Sequence, residues 1–360
     1  MLLLANALRN NGQREPCGGR AMDLRTTYLG LDLKNPVVAS ASPLSSTLDG
    51  IRRLEDAGAA AVVLFSLFEE QLLHGLGALD TYLNLRGGAT SEIFDLFPQD
   101  SEFHADPEQY LELIRNAREA TSIPIIGSLN GVSTGDWLAY AIHMEHAGAS
   151  AIELNLYYVP TDIELSGLST EWMYLDALND VAQRVTIPVS VKLSPFFSSL
   201  PYMANSMYKS GASGLVLFNR FYQPDLDIEG LEIKPKVYFS RSEDLTLPLR
   251  WVSLMYGRVP VDFAVSGGVH TYRDVIKAVM SGAKVAMMAA ELLTNGVQRI
   301  SEILNEIQNW MDVHEYDSIQ KMCGFMSERY AVSPEAFERA SYARALLAYR
   351  NSARQEQDQP

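Results

Sequence analysis

Short apolar runs recur along this chain, and each is introduced by one of two boundaries. The first boundary is a proline: Asn35-Pro36-Val37-Val38-Ala39-Ser40, Ile123-Pro124-Ile125-Ile126-Gly127-Ser128, Ile187-Pro188-Val189-Ser190-Val191-Lys192 and Val259-Pro260-Val261-Asp262-Phe263-Ala264-Val265. The second is a small-Gly-Ala turn, at Ala57-Gly58-Ala59, Ala147-Gly148-Ala149, Ser210-Gly211-Ala212 and Ser281-Gly282-Ala283. It leads into apolar residues 60–65, 151–156, 214–219 and 284–290. Each proline precedes the next such glycine by 22, 24, 23 and 22 residues. Between them lie helix-period segments such as Leu48-Asp49-Gly50-Ile51-Arg52-Arg53-Leu54-Glu55. Each copy therefore predicts strand, helix, a glycine turning left-handed, and a second strand. That is a βαβ unit, whose parallel strands require a helical crossover. Four units supply eight parallel strands, the number that closes a (β/α)8 TIM barrel. A doubly wound open sheet is the alternative, but a fourfold repeat of equivalent strands favours closure.

The intervals from glycine to the next proline are 66, 40 and 49 residues, so the insertions follow strands 2, 4 and 6, chiefly residues 66–122 and 220–250. Loops after strands lie on the C-terminal face, where barrel enzymes build their sites. At about 100–200 residues per domain the length of 360 would allow two domains, but the repeat predicts one barrel over residues 22–324. A C-terminal helical extension and tail follow over 325–360. Ser333-Pro334-Glu335 opens its helix with an N-cap, a proline at N1 and a first-turn acid, and the helix is expected to reach about Arg350, with fraying from Gln355. Residues 1–21, with Gly12, Gly18 and Gly19, are expected to form a flexible N-terminal arm, and Met22 is a candidate start. Met1-Leu2-Leu3-Leu4-Ala5 lacks the basic segment of a secretory leader and is interrupted by Asn6 and Arg9.

Charge narrows the partners. The 29 basic against 44 acidic side chains leave a net charge of −15, which argues against nucleic acid and anionic membranes. No apolar run reaches the roughly 18 residues of a membrane span. Two cysteines, Cys17 and Cys323, exclude a disulfide framework and a multi-cysteine metal site, and the expected setting is cytoplasmic. His143 and His146 share a helix face without a further ligand, so no metal is expected. Trp310 and Met311 belong to a helix-packing stripe.

Candidate chemistry sits where strands end. Ser266-Gly267-Gly268-Val269 follows strand 7 and Met288-Ala289-Ala290 ends strand 8. Glycines and small residues there let backbone N–H groups reach a phosphate, although a tight turn also uses glycine. Lys192, in Val191-Lys192-Leu193-Ser194-Pro195, places a charge inside an apolar strand, where an unpaired cation is costly. Glu153 on the neighbouring strand could be its structural partner; the lysine could also hold an anion or form a Schiff base. Asn155 and Asn219 end strands 4 and 6 on either side of Lys192, each with an amide suited to a heteroaromatic or carbonyl edge. Ser40 and Ser42 after strand 1, and Ser128 after strand 3, add small hydrogen-bonding groups. Tyr157 and Tyr158 follow Asn155 and could stack on a ligand or pack against a lid.

Taken together, Asn35-Pro36-Val37-Val38 with Ser40-Ala41-Ser42, Glu153-Leu154-Asn155-Leu156, Val191-Lys192-Leu193-Ser194-Pro195, Asn219, Ser266-Gly267-Gly268 and Ala289-Ala290 resemble the dihydroorotate dehydrogenase family of FMN-dependent barrels, including its fumarate-linked cytosolic members. The resemblance spans residues 29–324. It implies that Ser40, Ala41 and Ser42 contact the flavin, with Ser128 near its ring or ribityl chain. Lys192 would lie by the flavin N1/O2 edge, and Gly267, Gly268, Ala289 and Ala290 would hold the phosphate through backbone amides. Asn155 and Asn219 would face the substrate. Tyr158 takes the position of the family's Cys or Ser base, Pro160 that of a substrate-binding Asn, and Phe65 that of a lysine near flavin and substrate. Ala289-Ala290 stands where Gly-Thr is frequent. The implied activity is oxidation of a small dihydropyrimidine-like substrate, by default dihydroorotate, with hydride transfer to flavin N5 and discharge to a soluble electron acceptor; a homodimer is allowed. Two rivals stand beside it: a Schiff-base aldolase-type lyase using Lys192, and a non-catalytic flavin-binding subunit.

Overall fold

A computed structural model describes residues 22–75, 107–131, 136–234, 238–329 and 333–357. Eight parallel strands run in chain order: β1 (Val37–Ala39), β2 (Val62–Val63), β3 (Ile125–Asn130), β4 (Ala151–Asn155), β5 (Val189–Leu193), β6 (Gly214–Leu217), β7 (Asp262–Ser266) and β8 (Val285–Met288). Each pairs with the next, and β8 returns to β1 through Ala286↔Val37, Met287↔Val38 and Met288↔Ala39. The sheet is closed, so the fold is a (β/α)8 barrel and not an open doubly wound sheet.

The repeat positions explain the closure. Gly58, Gly148, Gly211 and Gly282 all adopt left-handed φ, at 106°, 101°, 104° and 119°, where a side chain would be strained. Helices alternate with the strands: α1 (Leu48–Asp56), α2 (Pro107–Ala120), α3 (Tyr140–Ala147), α4 (Gly167–Arg184), α5 (Leu200–Lys209), α6 (Thr246–Met255), α7 (Tyr272–Ser281) and α8 (Arg299–Val313). The two-residue period of each strand sends alternate side chains to the helices and to the barrel axis. On β4, Ile152 and Leu154 join the large outer core, whereas Ala151 belongs to the inner cluster with Val38, Val63, Ile126, Val216, Ala264, Val285 and Met287. Glu153 and Asn155 continue the inward row.

Three features depart from expectation. A hairpin of Thr26–Tyr28 and Leu31–Leu33 precedes the barrel, and its Tyr28, Leu29 and Leu33 fill the inner cluster. The Leu29 N–H donates to the Asp262 carboxylate at 2.8 Å, tying the plug to the start of β7. Second, the C-terminal helix runs Pro334–Gln357, beyond the expected end near Arg350, because residues 351–357 contain no glycine or proline to stop it. Ser333 caps it as expected, accepting from Ala336 N at 3.4 Å, and Glu338 pairs with Arg250 of α6. Third, the loop after β6 carries its own small hairpin, Asp225–Asp227 with Glu232–Lys234. The expected arm at 1–21 and most of the loop after β2 lie outside the described residues. No described helix is long and apolar enough to cross a membrane.

Candidate active site

The inward rows bring four polar side chains into the barrel near its C-terminal end. Ser40, Ser128, Glu153 and Lys192 are all buried, with Glu153 at 0% and Lys192 at 6% exposure. Lys192 Nζ lies 3.6 Å from Glu153 Oε1 and donates to Ser40 Oγ at 3.4 Å. Neither Glu153 oxygen makes a hydrogen bond among the described residues, so the lysine is its main compensation. Two buried charges held this way are expensive to desolvate, and a fold keeps such a pair where a fixed charge is needed or where pairing forbids removal of one partner. Ser128 lies within β3 rather than after it. Its N–H donates to the Tyr110 hydroxyl at 2.9 Å, and its own hydroxyl is 2.9 Å from that of Ser66. Burial pushes the Tyr110 hydroxyl well up, so it stays neutral and serves as a brace between α2 and β3.

A cavity of about 950 Å³ opens at this end of the barrel, and Ser40, Ser128, Glu153 and Lys192 are not among the residues that line it. The β4–β5 register sets Asn155 opposite Lys192, and Asn219, two residues past β6, donates its amide to Asn155 Oδ1 at 2.9 Å. Both asparagines line the cavity, together with Ala41, Ser42, Phe65, Ser66, Tyr110, Asn130, Tyr157 and Arg220. Phe65 packs edge-on against Tyr110, with centroids 5.0 Å apart. Asn130, Ser66, Tyr110 and Arg220 were not singled out from the sequence. Asn130 could have been, since it ends the run opened by Pro124 as Asn155 ends its own.

The loops after β7 and β8 lie side by side at the same end of the barrel, though Gly267, Gly268, Ala289 and Ala290 do not line the cavity. Gly267 and Gly268 both have positive φ, 86° and 84°. A Cβ on Gly268 would fall 2.4 Å from Leu245 N, so the loop packs directly on the β6–β7 connection. A Cβ on Gly267 would meet nothing within 4 Å, leaving its backbone accessible. Ala289 precedes a short helix, Ala290–Asn295. A bared glycine backbone, a short helix opening with small side chains, and a buried cation fit a ligand with an anionic end and a polar ring, such as a flavin mononucleotide.

The sequence model of dihydroorotate dehydrogenase matches residues 105–311, more than half of the chain. The chain belongs to the dihydroorotate dehydrogenase family. Among its relatives, the dihydroorotate dehydrogenase B (NAD(+)) catalytic subunit of Thermoplasma volcanium is 27% identical over 319 residues, covering 85% of this chain and 99% of the relative. The protein of the same name from Thermoplasma acidophilum is 26% identical, covering 84% and 98%. That of Methanosarcina mazei is 25% identical, covering 88% and 99%.

Where this family member carries its tandem tyrosines, the two side chains part. Tyr157 lines the cavity, and its hydroxyl accepts from Tyr222 N at 3.1 Å. Tyr158 packs against the outer core, and its carbonyl accepts from the Tyr174 hydroxyl at 3.3 Å. Burial pushes that Tyr174 hydroxyl up to about 12, consistent with a neutral donor.

The rim is braced by charge. Glu291, in the first turn after β8, accepts from His270 Nδ1 at 3.0 Å and from Arg299 Nε at 2.7 Å. Burial would push its carboxyl up, but the hydrogen bonds from His270, Arg299 and Asn295 outweigh that and hold it below the ordinary 4.5. A carboxylate lowered on folding adds stability that is present above about 4.5 and is lost as pH falls through the lower folded value. Glu291→Gln should therefore reduce Tm at neutral pH, with the gap to the unmodified protein closing as pH is taken below 4.5. A gap independent of pH would show that charge is not its cause.

Proposed function

We propose that the chain is an FMN-dependent oxidoreductase that oxidises a dihydropyrimidine-like substrate across a CH–CH bond, with dihydroorotate as the default and a soluble electron acceptor. The observation that carries this is the buried Lys192, held by Glu153 and Ser40 and set in register beside Asn155 of the Asn155–Asn219 amide pair. A fixed cation beside an amide that lines the cavity suits a redox ring with a planar amide substrate against it. FMN, when bound, supplies the two-electron acceptor for the substrate C–H bond. Ser40, Ala41, Ser42 and Ser128 would hold the ring and ribityl chain, and Gly267, Gly268, Ala289 and Ala290 the phosphate.

The protein's own groups do the rest. Lys192, itself buried, offers a preorganised positive charge where negative charge develops. Asn155 and Asn219 are oriented by their mutual hydrogen bond, leaving amide donors and acceptor for the substrate edge. Proton removal falls to one of the two tyrosines. The sequence position points to Tyr158, while lining of the cavity favours Tyr157. Tyr157→Phe is expected to slow substrate-driven flavin reduction at least tenfold, and Tyr158→Phe to leave it within about threefold, on the usual 10²–10⁴-fold worth of a general base. The reverse outcome returns the base to Tyr158.

A Schiff-base role for Lys192 is not favoured, because attack on a carbonyl needs the neutral amine, which would leave the fully buried Glu153 without its counter-charge. The deciding experiment is anaerobic mixing of the flavin-loaded protein with dihydroorotate and with dihydrouracil. Bleaching of the flavin by either supports the proposal. Failure of both to reduce it removes the dihydropyrimidine assignment.

A further inference from the structure

Among the described residues that line the cavity, one is a cation. Arg220 is the only lysine or arginine among the lining residues, and Glu112 is the only carboxylate. Phe65, two residues past β2, lines the wall and brings no charge of its own. Arg220 directly follows Asn219, whose amide is committed to Asn155. Its guanidinium is braced from outside the wall: Nη1 lies 3.1 Å from Asp244 Oδ2, and that carboxylate is itself fixed by the Arg241 N–H at 2.9 Å. The Nε and Nη2 donors have no partner among the described residues. That edge is a planar two-donor fork, which matches the two oxygens of a carboxylate.

We infer that Arg220 is the anion-recognition residue of this cavity, and that it selects ligands bearing a carboxylate beside a planar amide ring over neutral rings of the same shape. This deepens the oxidoreductase reading above and rests on it. A carboxylate fits better than a phosphate: one guanidinium, partly compensated by Asp244 and facing a wall that also holds Glu112, balances a single negative charge and not two. The neutral amides of Asn155, Asn219 and Asn130 then read the uncharged part of the ring. Asp244 acts as a positioning residue, since it touches the guanidinium and not the cavity.

The test is calorimetric titration of the protein as purified, at low salt, with orotate and with uracil, which lacks the carboxylate. Orotate is expected to bind at least tenfold more tightly than uracil. Arg220→Gln should erase that preference, Arg220→Lys should keep part of it through charge alone, and Asp244→Asn should weaken orotate without affecting uracil. Arg220 is half-exposed, so these variants should keep the unmodified Tm within a few degrees, which a thermal melt checks. Equal binding of the two ligands, binding of neither, or a preference that survives Arg220→Gln overturns the inference. Inorganic phosphate displacing orotate at comparable concentration overturns the carboxylate assignment. Flavin content measured on the same sample separates the two readings. Bound FMN without carboxylate preference sinks only the Arg220 role, and preference without FMN sinks only the oxidoreductase.

Discussion

Lys192→Met is expected to abolish substrate-driven flavin reduction and to destabilise the fold by about 3–5 kcal/mol, the cost of leaving one partner of a buried ion pair uncompensated. The size follows from burial. Glu153 is fully enclosed, no hydrogen bond reaches its oxygens among the described residues, and Lys192 is its ion-pair partner at 3.6 Å. Removing the cation strands a carboxylate in the barrel axis. The double variant Lys192→Met/Glu153→Gln should recover most of the lost stability, because no unpaired charge remains, yet recover no activity. Denaturant unfolding of the single and double variants, with flavin reduction measured alongside, separates the two roles of the lysine. If the double variant regains activity, the cation has no part in the chemistry. If the single variant is as stable as the unmodified protein, the pair is not the counter-charge described.

Gly267→Ala and Gly268→Ala should differ sharply, although the residues are neighbours with the same left-handed backbone. Alanine in that region costs about 1–2 kcal/mol. At Gly267 the cost should stop there, because the added methyl meets nothing within 4 Å. The methyl would instead intrude where a phosphate approaches the bared backbone, so Gly267→Ala should fold nearly normally and bind FMN at least tenfold more weakly. At Gly268 the methyl would sit 2.4 Å from Leu245 N and 2.9 Å from Arg241 O, both backbone atoms that cannot swing aside. That variant should lose clearly more stability and displace the loop that carries Asp244. Thermal melts and FMN titration distinguish them. Equal stability losses would contradict the packing, and unchanged FMN affinity in Gly267→Ala would remove the phosphate from this loop.

The barrel was legible because its signal repeats. Proline, helix, glycine and strand recur at near-constant spacing, and the four glycines prove to be the left-handed turns that the pattern demands. Lys192 was legible for a different reason: a charge in an apolar strand has few physical explanations, and Glu153 was nameable as its partner from strand adjacency. What escaped the sequence depends on long-range packing. The N-terminal plug turns at Leu29-Gly30, where Leu29 takes φ 56° without the Asn or Asp that marks a two-residue hairpin. Tyr110 reaches Ser128 from a helix eighteen residues earlier in the chain, a contact with no local motif. Arg220 belongs to no sequence motif, and only the fold puts it on the cavity wall. Ser128 and Asn130 show how a short misjudgement of a strand's end hides a site residue, since β3 runs on to Asn130.

The flavin content of the purified protein bears most directly on the central claim, that the buried Lys192 and the Gly267–Gly268 loop together hold FMN. Denaturing the protein and identifying what is released should yield a single FMN per chain, and protein stripped of it should regain a flavin spectrum on adding FMN but not riboflavin. A colourless protein that takes up no FMN, or one that binds riboflavin equally well, would contradict it.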